Sequence, residues 1–374
     1  MIKKISSNKR LITIVALLII NATLKFFMID AISIGHDEPL SITIASNEIL
    51  EIPLLTDNNP PLFYFLLHYM IDWFGSEAFA IRFIPCLFGV LLSGLIYVFG
   101  EKYLSHKVGL FAAILYTFST VYHHHSHNAR VYTMFAFLAL LSMYYYLSYI
   151  NNKENKQNLI KLMAVNIIMI YSHFFGLILI GFQGIFFLLF IKNSREEIFS
   201  YLKYMSIVGF SFLPYTYILY LKYLRTMGID TTIPETSLES LYIIIRQFSN
   251  KPAVAVLFLV LIFASLVKVL IEKQKVEINQ KVVFFWFFGI YIVLFFISFF
   301  VPMFISRYMV FIFIPFYYLI GISIENLFRK KIIQYAIYSI TILAMFITFQ
   351  PTYHFYGTRR GTEDIFIQYI WNLF

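Results

Sequence analysis

The chain has 374 residues, of which 60% are hydrophobic, 20% aromatic and only 13% charged, and its mean hydropathy is +0.76. A soluble globule and a disordered chain are both excluded, because neither can cover so much apolar surface with polar groups. The formal net charge of +9 points to nucleic acid by its sum alone, but its distribution follows membrane topology, and no nucleic-acid partner is expected.

Apolar runs of span length recur near residues 11–29, 84–100, 108–122, 131–149, 159–172, 174–191, 203–220, 253–270, 282–300, 308–324 and 332–349. Each spanning helix needs roughly 20 apolar residues, and lipid leaves no partner for unpaired backbone groups. The expectation is an all-α, polytopic integral membrane protein with about 11 transmembrane helices. The first run follows Lys3, Lys4, Lys9 and Arg10. It is too long for a signal h-region and has no small-residue cleavage site, so it reads as an uncleaved signal-anchor. With the N-terminus in the cytoplasm, 19 of the 29 basic residues fall on the inner side and 13 of the 20 acidic residues on the outer. That asymmetry predicts a multi-pass protein of the cell (inner or plasma) membrane with its C-terminus outside.

The largest outer loop is 30–83. Its stretches SITIASNEIL and PPLFYFLLHYMIDWF are too interrupted to span and read as interfacial helices, with aromatic anchors such as Trp73. Residues 1–349 form one transmembrane module. Residues 350–374 form an outer tail or the stub of a soluble domain. The one cysteine, Cys86, cannot make an intrachain disulfide.

Chemistry-bearing residues gather at the outer ends of spans. Asp37 and Glu38 lie in AISIGHDEPLS. Asp37 reads either as the cap of a short helix with Pro39 in its first turn, or as a general base at the membrane boundary. Asn59-Pro60-Pro61 is a loop-to-helix entry, followed by Tyr64. Arg82, Arg130 and Arg307 precede spans on the side where basic residues are disfavoured; they either snorkel to headgroups or grip a phosphate. His123, His124, His125 and His127 crowd one turn. Without a nearby carboxylate or a defined helical pair they make a weak metal site, with His123, His125 and His127 as its ligands. Asn59, Tyr64, His127, Asn128, Tyr132, His173 and Tyr308 stand near the same ends as possible substrate contacts. The spans are nearly free of charge at mid-depth, where a transporter carries ionisable residues.

In order, a first span, Asp37-Glu38, N-P-P-L-F-Y, F-G-S-E-A-F-A-I-R-F-I-P, then Asn128-Ala129-Arg130-Val131-Tyr132 and Arg307-Tyr308 resemble the GT-C glycosyltransferases. The nearest branch is that of dolichyl-phosphate-mannose–protein mannosyltransferases and lipid A aminoarabinose transferases. The resemblance implies inverting transfer of a monosaccharide from a polyprenyl-phosphate donor to a protein, glycolipid or polymer acceptor on the outer face. It assigns Asp37 as base, Glu38 as an orienting or acceptor-contacting group, and Arg82, Arg130 and Arg307 as donor-phosphate ligands. No cofactor follows from it, and a divalent metal is unsupported. Two departures stand out: many relatives carry a carboxylate or glutamine where Asn128 stands, and the histidine run is atypical. The rival readings are a flippase, polymerase or transporter of lipid-linked sugars, and a non-catalytic relative.

Overall fold

The computed structural model describes residues 7–27, 29–30, 33–35, 37–56, 59–226 and 236–351; the expected tail at 352–374 lies outside them. Seventeen helices and no strand occur among the described residues. In chain order they begin with α1 (Ser7–Phe26), α2 (Glu38–Ala45), α3 (Ile52–Leu55), α4 (Leu62–Phe74), α5 (Ala78–Tyr103) and α6 (His106–Thr117). Next come α7 (Thr120–Ser126), α8 (Tyr132–Asn151), α9 (Lys156–Ile170), α10 (Phe175–Phe190), α11 (Arg195–Thr226) and α12 (Leu238–Phe248). The last five are α13 (Pro252–Ile271), α14 (Ile278–Ile297), α15 (Ser306–Met309), α16 (Phe313–Leu327) and α17 (Lys331–Ile347).

Every expected apolar run holds a helix, and the chain is an all-helical, polytopic membrane protein. Among the described residues, five helices are long and apolar enough to cross a bilayer: α5, α8, α13, α14 and, in α11, Arg195–Lys222. Helices α10, α16 and α17 are shorter apolar helices, as is α4 in the first loop. Helix α5 is the hub and packs against α1, α4, α6, α7 and α8; α16 packs against α6, α13, α14 and α17.

Lipid is as apolar as the side chains, so helix association here depends on close packing and cross-helix hydrogen bonds. Both are visible. Where α5 crosses α6, a Cβ on Gly100 would lie 2.3 Å from Gly109 Cα, and one on Gly109 would lie 2.8 Å from Tyr97 O. The two backbones touch through glycine alone. Gly109→Ala is therefore expected to destabilise the protein by about 1–3 kcal/mol or more through overpacking, measured as a lower Tm in detergent; an unchanged Tm would contradict the contact.

The aromatic content supplies the hydrogen bonds. Buried tyrosine hydroxyls donate to carbonyls of other segments: Tyr116 to Gly89 (2.7 Å), Tyr318 to Ile96 (2.7 Å), Tyr317 to Phe248 (2.8 Å) and Tyr291 to Leu241 (2.6 Å). A carbonyl oxygen has two lone pairs, so each of these four can accept a tyrosine hydroxyl whether or not it also takes a helical bond. In the bundle interior Ser142, Asn166 and Gln183 close a ring across α8, α9 and α10, with bonds of 2.6, 3.2 and 2.7 Å. All three are fully buried, and their polar groups satisfy one another.

The structure differs from the expected 108–122 span by a break after α6. Asn250, in the left-handed region at φ 62°, bridges that break. Its Oδ1 accepts from Thr120 N (2.9 Å) and its Nδ2 donates to Phe118 O (2.8 Å). Asparagine tolerates this backbone conformation better than most residues. The result is α7, a separate short helix that carries the histidine run to the site. The 308–324 run is divided likewise into α15 and α16.

Candidate active site

Two acid–base pairs form at the end of the bundle where α2, α5, α7, α8 and α15 begin or end. Asp37 occupies the position before α2, and Pro39 sits in that helix's first turn. Its side chain makes no capping bond. Instead, Arg307 Nη1 donates to Asp37 Oδ2 at 3.2 Å, joining residues far apart in sequence. The Asp37 side chain is 36% exposed and that of Arg307 21%. This carboxylate can be approached by a substrate.

Glu38 is held quite differently. Arg82, from the first turns of α5, donates Nε to Oε1 (2.8 Å) and Nη2 to Oε2 (2.6 Å). Gly35 N adds a bond to Oε2 (2.7 Å), and Ala129 N one to Oε1 (3.0 Å). The same guanidinium reaches the Ile29 and Ser33 carbonyls, at 2.8 and 3.1 Å. Both side chains are 3% exposed. Burial by itself would raise the Glu38 carboxyl, but the Arg82 hydrogen bonds and charge, with the two backbone N–H groups, outweigh it and hold the carboxyl below its ordinary value. Glu38 is thus an ionised brace with four donors. It ties the α1–α2 loop to α5 and to the turn before α8, and so sets the place of its neighbour Asp37.

Arg130 is buried, with Nη1 at 3.3 Å from Ser41 Oγ and 3.5 Å from Tyr64 OH. Ser41 was not legible as a site residue, although its position three after Glu38 puts both on one face of α2. Tyr132, His173 and Tyr308 form an aromatic group: His173 lies 5.8 Å from Tyr308 and 6.3 Å from Tyr132 between ring centroids. Phe175 N donates to His173 Nδ1 at 3.2 Å, which orients the imidazole. The Arg307 guanidinium stands 5.3 Å from the Tyr308 ring, a cation–π contact. Asn59 is set apart, its carbonyl accepting from Tyr215 OH at 3.4 Å. Asn128 leads the turn whose Ala129 N–H holds Glu38.

The histidines divide between two directions. His127 Nε2 donates to Lys25 O (2.6 Å), and burial, ahead of that bond, pushes its pKa down to about 4. His123 packs on His127 and Phe349, whereas His125 turns to Tyr132. Among the described residues no three His, Cys, Asp or Glu side chains converge as metal ligands. A cavity of about 570 Å³ lined by Ser265, Lys275, Lys281, Phe284 and Glu325 belongs to the opposite end of α13, α14 and α16, and takes no part in this site.

Residues 58–219 match the family profile described as dolichyl-phosphate-mannose-protein mannosyltransferase. No curated protein matches the chain in sequence. Among solved structures, ArnT from Cupriavidus metallidurans in the apo state aligns with a TM-score of 0.63 at 13% identity, over 89% of this chain and 62% of that one. Its undecaprenyl-phosphate-bound form aligns at 0.62 and 14%, over 90% and 64%. The Archaeoglobus fulgidus oligosaccharyltransferase in its apo form aligns at 0.61 and 12%, over 95% and 57%. The chain thus spans less than two thirds of the length of each. At these identities the likeness is one of fold. The chain has the fold of the GT-C glycosyltransferases and, across residues 58–219, resembles the dolichyl-phosphate-mannose-protein mannosyltransferases in sequence.

Proposed function

We propose that the protein moves a monosaccharide from a polyprenyl-phosphate donor to an acceptor at the outer face of the cell membrane, with inversion at the anomeric carbon. The observation that carries this reading is the Asp37–Arg307 pair, a half-exposed carboxylate 3.2 Å from a guanidinium. Inverting transfer needs a base on the acceptor side and a cation on the phosphate side. The acceptor oxygen or nitrogen attacks the anomeric carbon while its proton passes to Asp37. The bond from that carbon to the phosphate oxygen breaks, and the polyprenyl phosphate leaves with the electron pair. Arg307 and Arg130 stabilise the charge that grows there, and the leaving group needs no proton. ArnT has been solved with undecaprenyl phosphate, which supports a lipid phosphate as donor here.

Within this reading the three arginines do different work. Arg82 is committed to Glu38 and two carbonyls, so within this proposal it positions the catalytic loop. Orientation of the site toward the outside rests on the charge asymmetry of the loops. The closed Ser142–Asn166–Gln183 ring argues against a transport path between those helices, since a path needs polar groups that can engage a passing substrate.

Arg307→Ala is expected to weaken binding of undecaprenyl phosphate to the purified protein about 10–100-fold, the loss of charge-assisted hydrogen bonds. An unchanged Kd would remove Arg307 from the phosphate site.

A further inference from the structure

We infer that His125 belongs to the sugar subsite, hydrogen-bonding a hydroxyl of a neutral, hydroxylated donor sugar held beside Arg307. The inference rests on the glycosyltransferase reading and names the donor class that this reading leaves open.

His125 closes the last turn of α7 and is 6% exposed, and its Nδ1 has no hydrogen-bond partner among the described residues. Its ring lies 5.0 Å from Tyr132, which lies 6.4 Å from Tyr308, the neighbour of Arg307. One tyrosine ring thus separates it from Tyr308, and it lies within the reach of the Arg307 charge. A buried polar atom without a partner costs free energy until one arrives, and such atoms in a native fold call for an explanation. Three residues further on, Asn128 Oδ1 is buried and also lacks a partner among the described residues.

The chemistry of the group selects its ligand. Burial, and then the neighbouring His124 and Arg307 charges, hold the imidazole well below its ordinary value, so it is neutral at pH 7. A hydroxyl is donor and acceptor at once and satisfies Nδ1 in either tautomer. A phosphate is better served by Arg307 and Arg130. An ammonium on the sugar would stand against those two cations, with Glu38 already bound to Arg82 and Asp37 to Arg307. A neutral sugar is the class that fits.

The test uses the purified full chain in detergent. Kd is measured for undecaprenyl phosphate and for its mannose, glucose, galactose and aminoarabinose esters, with wild type beside His125→Phe, His125→Leu and His125→Asn. The expected wild type binds at least one neutral-sugar lipid more tightly than either the bare lipid or the aminoarabinose lipid. Either apolar variant that folds loses that preference by about five- to tenfold, the scale of one hydrogen bond, while its Kd for the bare lipid stays within about twofold. His125→Asn, which keeps a polar atom near Nδ1, recovers part of it. Equal weakening for bare and sugar-bearing lipids would make His125 structural. An unaltered preference in the variants, no wild-type preference for any neutral sugar, or a preference for aminoarabinose would also overturn the inference. Wild type that binds none of these lipids, the bare one included, would instead sink the glycosyltransferase reading beneath it.

Discussion

Asp37→Asn is expected to lower the rate of sugar transfer by about 10²–10⁴-fold, the range for a positioned general base, while the protein folds and binds the donor lipid. The amide keeps the shape of the carboxylate and can still meet Arg307, but it cannot take the acceptor's proton. The structure sharpens this expectation. Asp37 stands where a helix cap would be, yet it makes no capping bond and pairs with Arg307 instead. A capping role predicts a loss of stability in Asp37→Ala and none in Asp37→Asn, because asparagine caps as well as aspartate; a catalytic role predicts a loss of kcat in Asp37→Asn with the melting temperature kept. Steady-state kinetics beside thermal unfolding separate the two. Near wild-type turnover in Asp37→Asn would place the base elsewhere.

The second large effect concerns the neighbouring residue and is of the opposite kind. Removing one partner of a fully buried ion pair strands the other charge, at a cost of about 3–5 kcal/mol. Glu38→Gln and Arg82→Met are each expected to fall in that range, read as a lower Tm or a lost yield of folded protein. The double variant should be less destabilised than the sum of the singles, because it leaves no stranded charge. A phosphate-binding Arg82 would behave otherwise: Arg82→Met would raise the donor Kd and leave Tm unchanged. The pair also carries a pH signature. Glu38 is held below its ordinary value of 4.5, so its contribution is fully present above that pH. It is lost as pH falls through the lowered folded-state value. Glu38→Gln should remove this acid-side loss, and a wild-type acid limb that persists unchanged in Glu38→Gln would assign it to other carboxylates.

What the sequence reveals depends on which force writes the feature. In lipid the backbone must satisfy itself, so hydrophobic run length alone locates the helices, and Ala78–Tyr103 or Pro252–Ile271 can be read off directly. The Asp37-Glu38 pair is visible as a motif, and the resemblance suggests separate roles for its two acids, but their partners are not legible. Adjacent acids look alike in a string, and only the fold brings Arg82 to one and Arg307 to the other. The same holds for the arginines. Arg82, Arg130 and Arg307 share a position, at the start of an apolar run, and differ in partners that come from distant segments. The break before α7 is hidden for a similar reason, since Asn250, which bridges it, lies 130 residues from Thr120. The histidine run looked like one cluster because sequence proximity suggests a common target. On a helix, successive positions fan out, so His123 and His127, four apart, pack on each other while His125 turns to Tyr132.

The positioning chain that follows is short and physical. Gly100 and Gly109 let α5 and α6 touch, Asn250 bridges the break that creates α7, and Arg82 on α5 fixes Glu38. Glu38 then leaves Asp37, one residue back, paired with Arg307.

Turnover of a labelled polyprenyl-phosphate sugar by the purified protein in proteoliposomes decides whether it is a glycosyltransferase with Asp37 as its base. Free polyprenyl phosphate should be released, through transfer to an acceptor or slow hydrolysis, in wild type and not in Asp37→Asn. Movement of intact labelled donor across the bilayer without cleavage, at the same rate in both proteins, would contradict it.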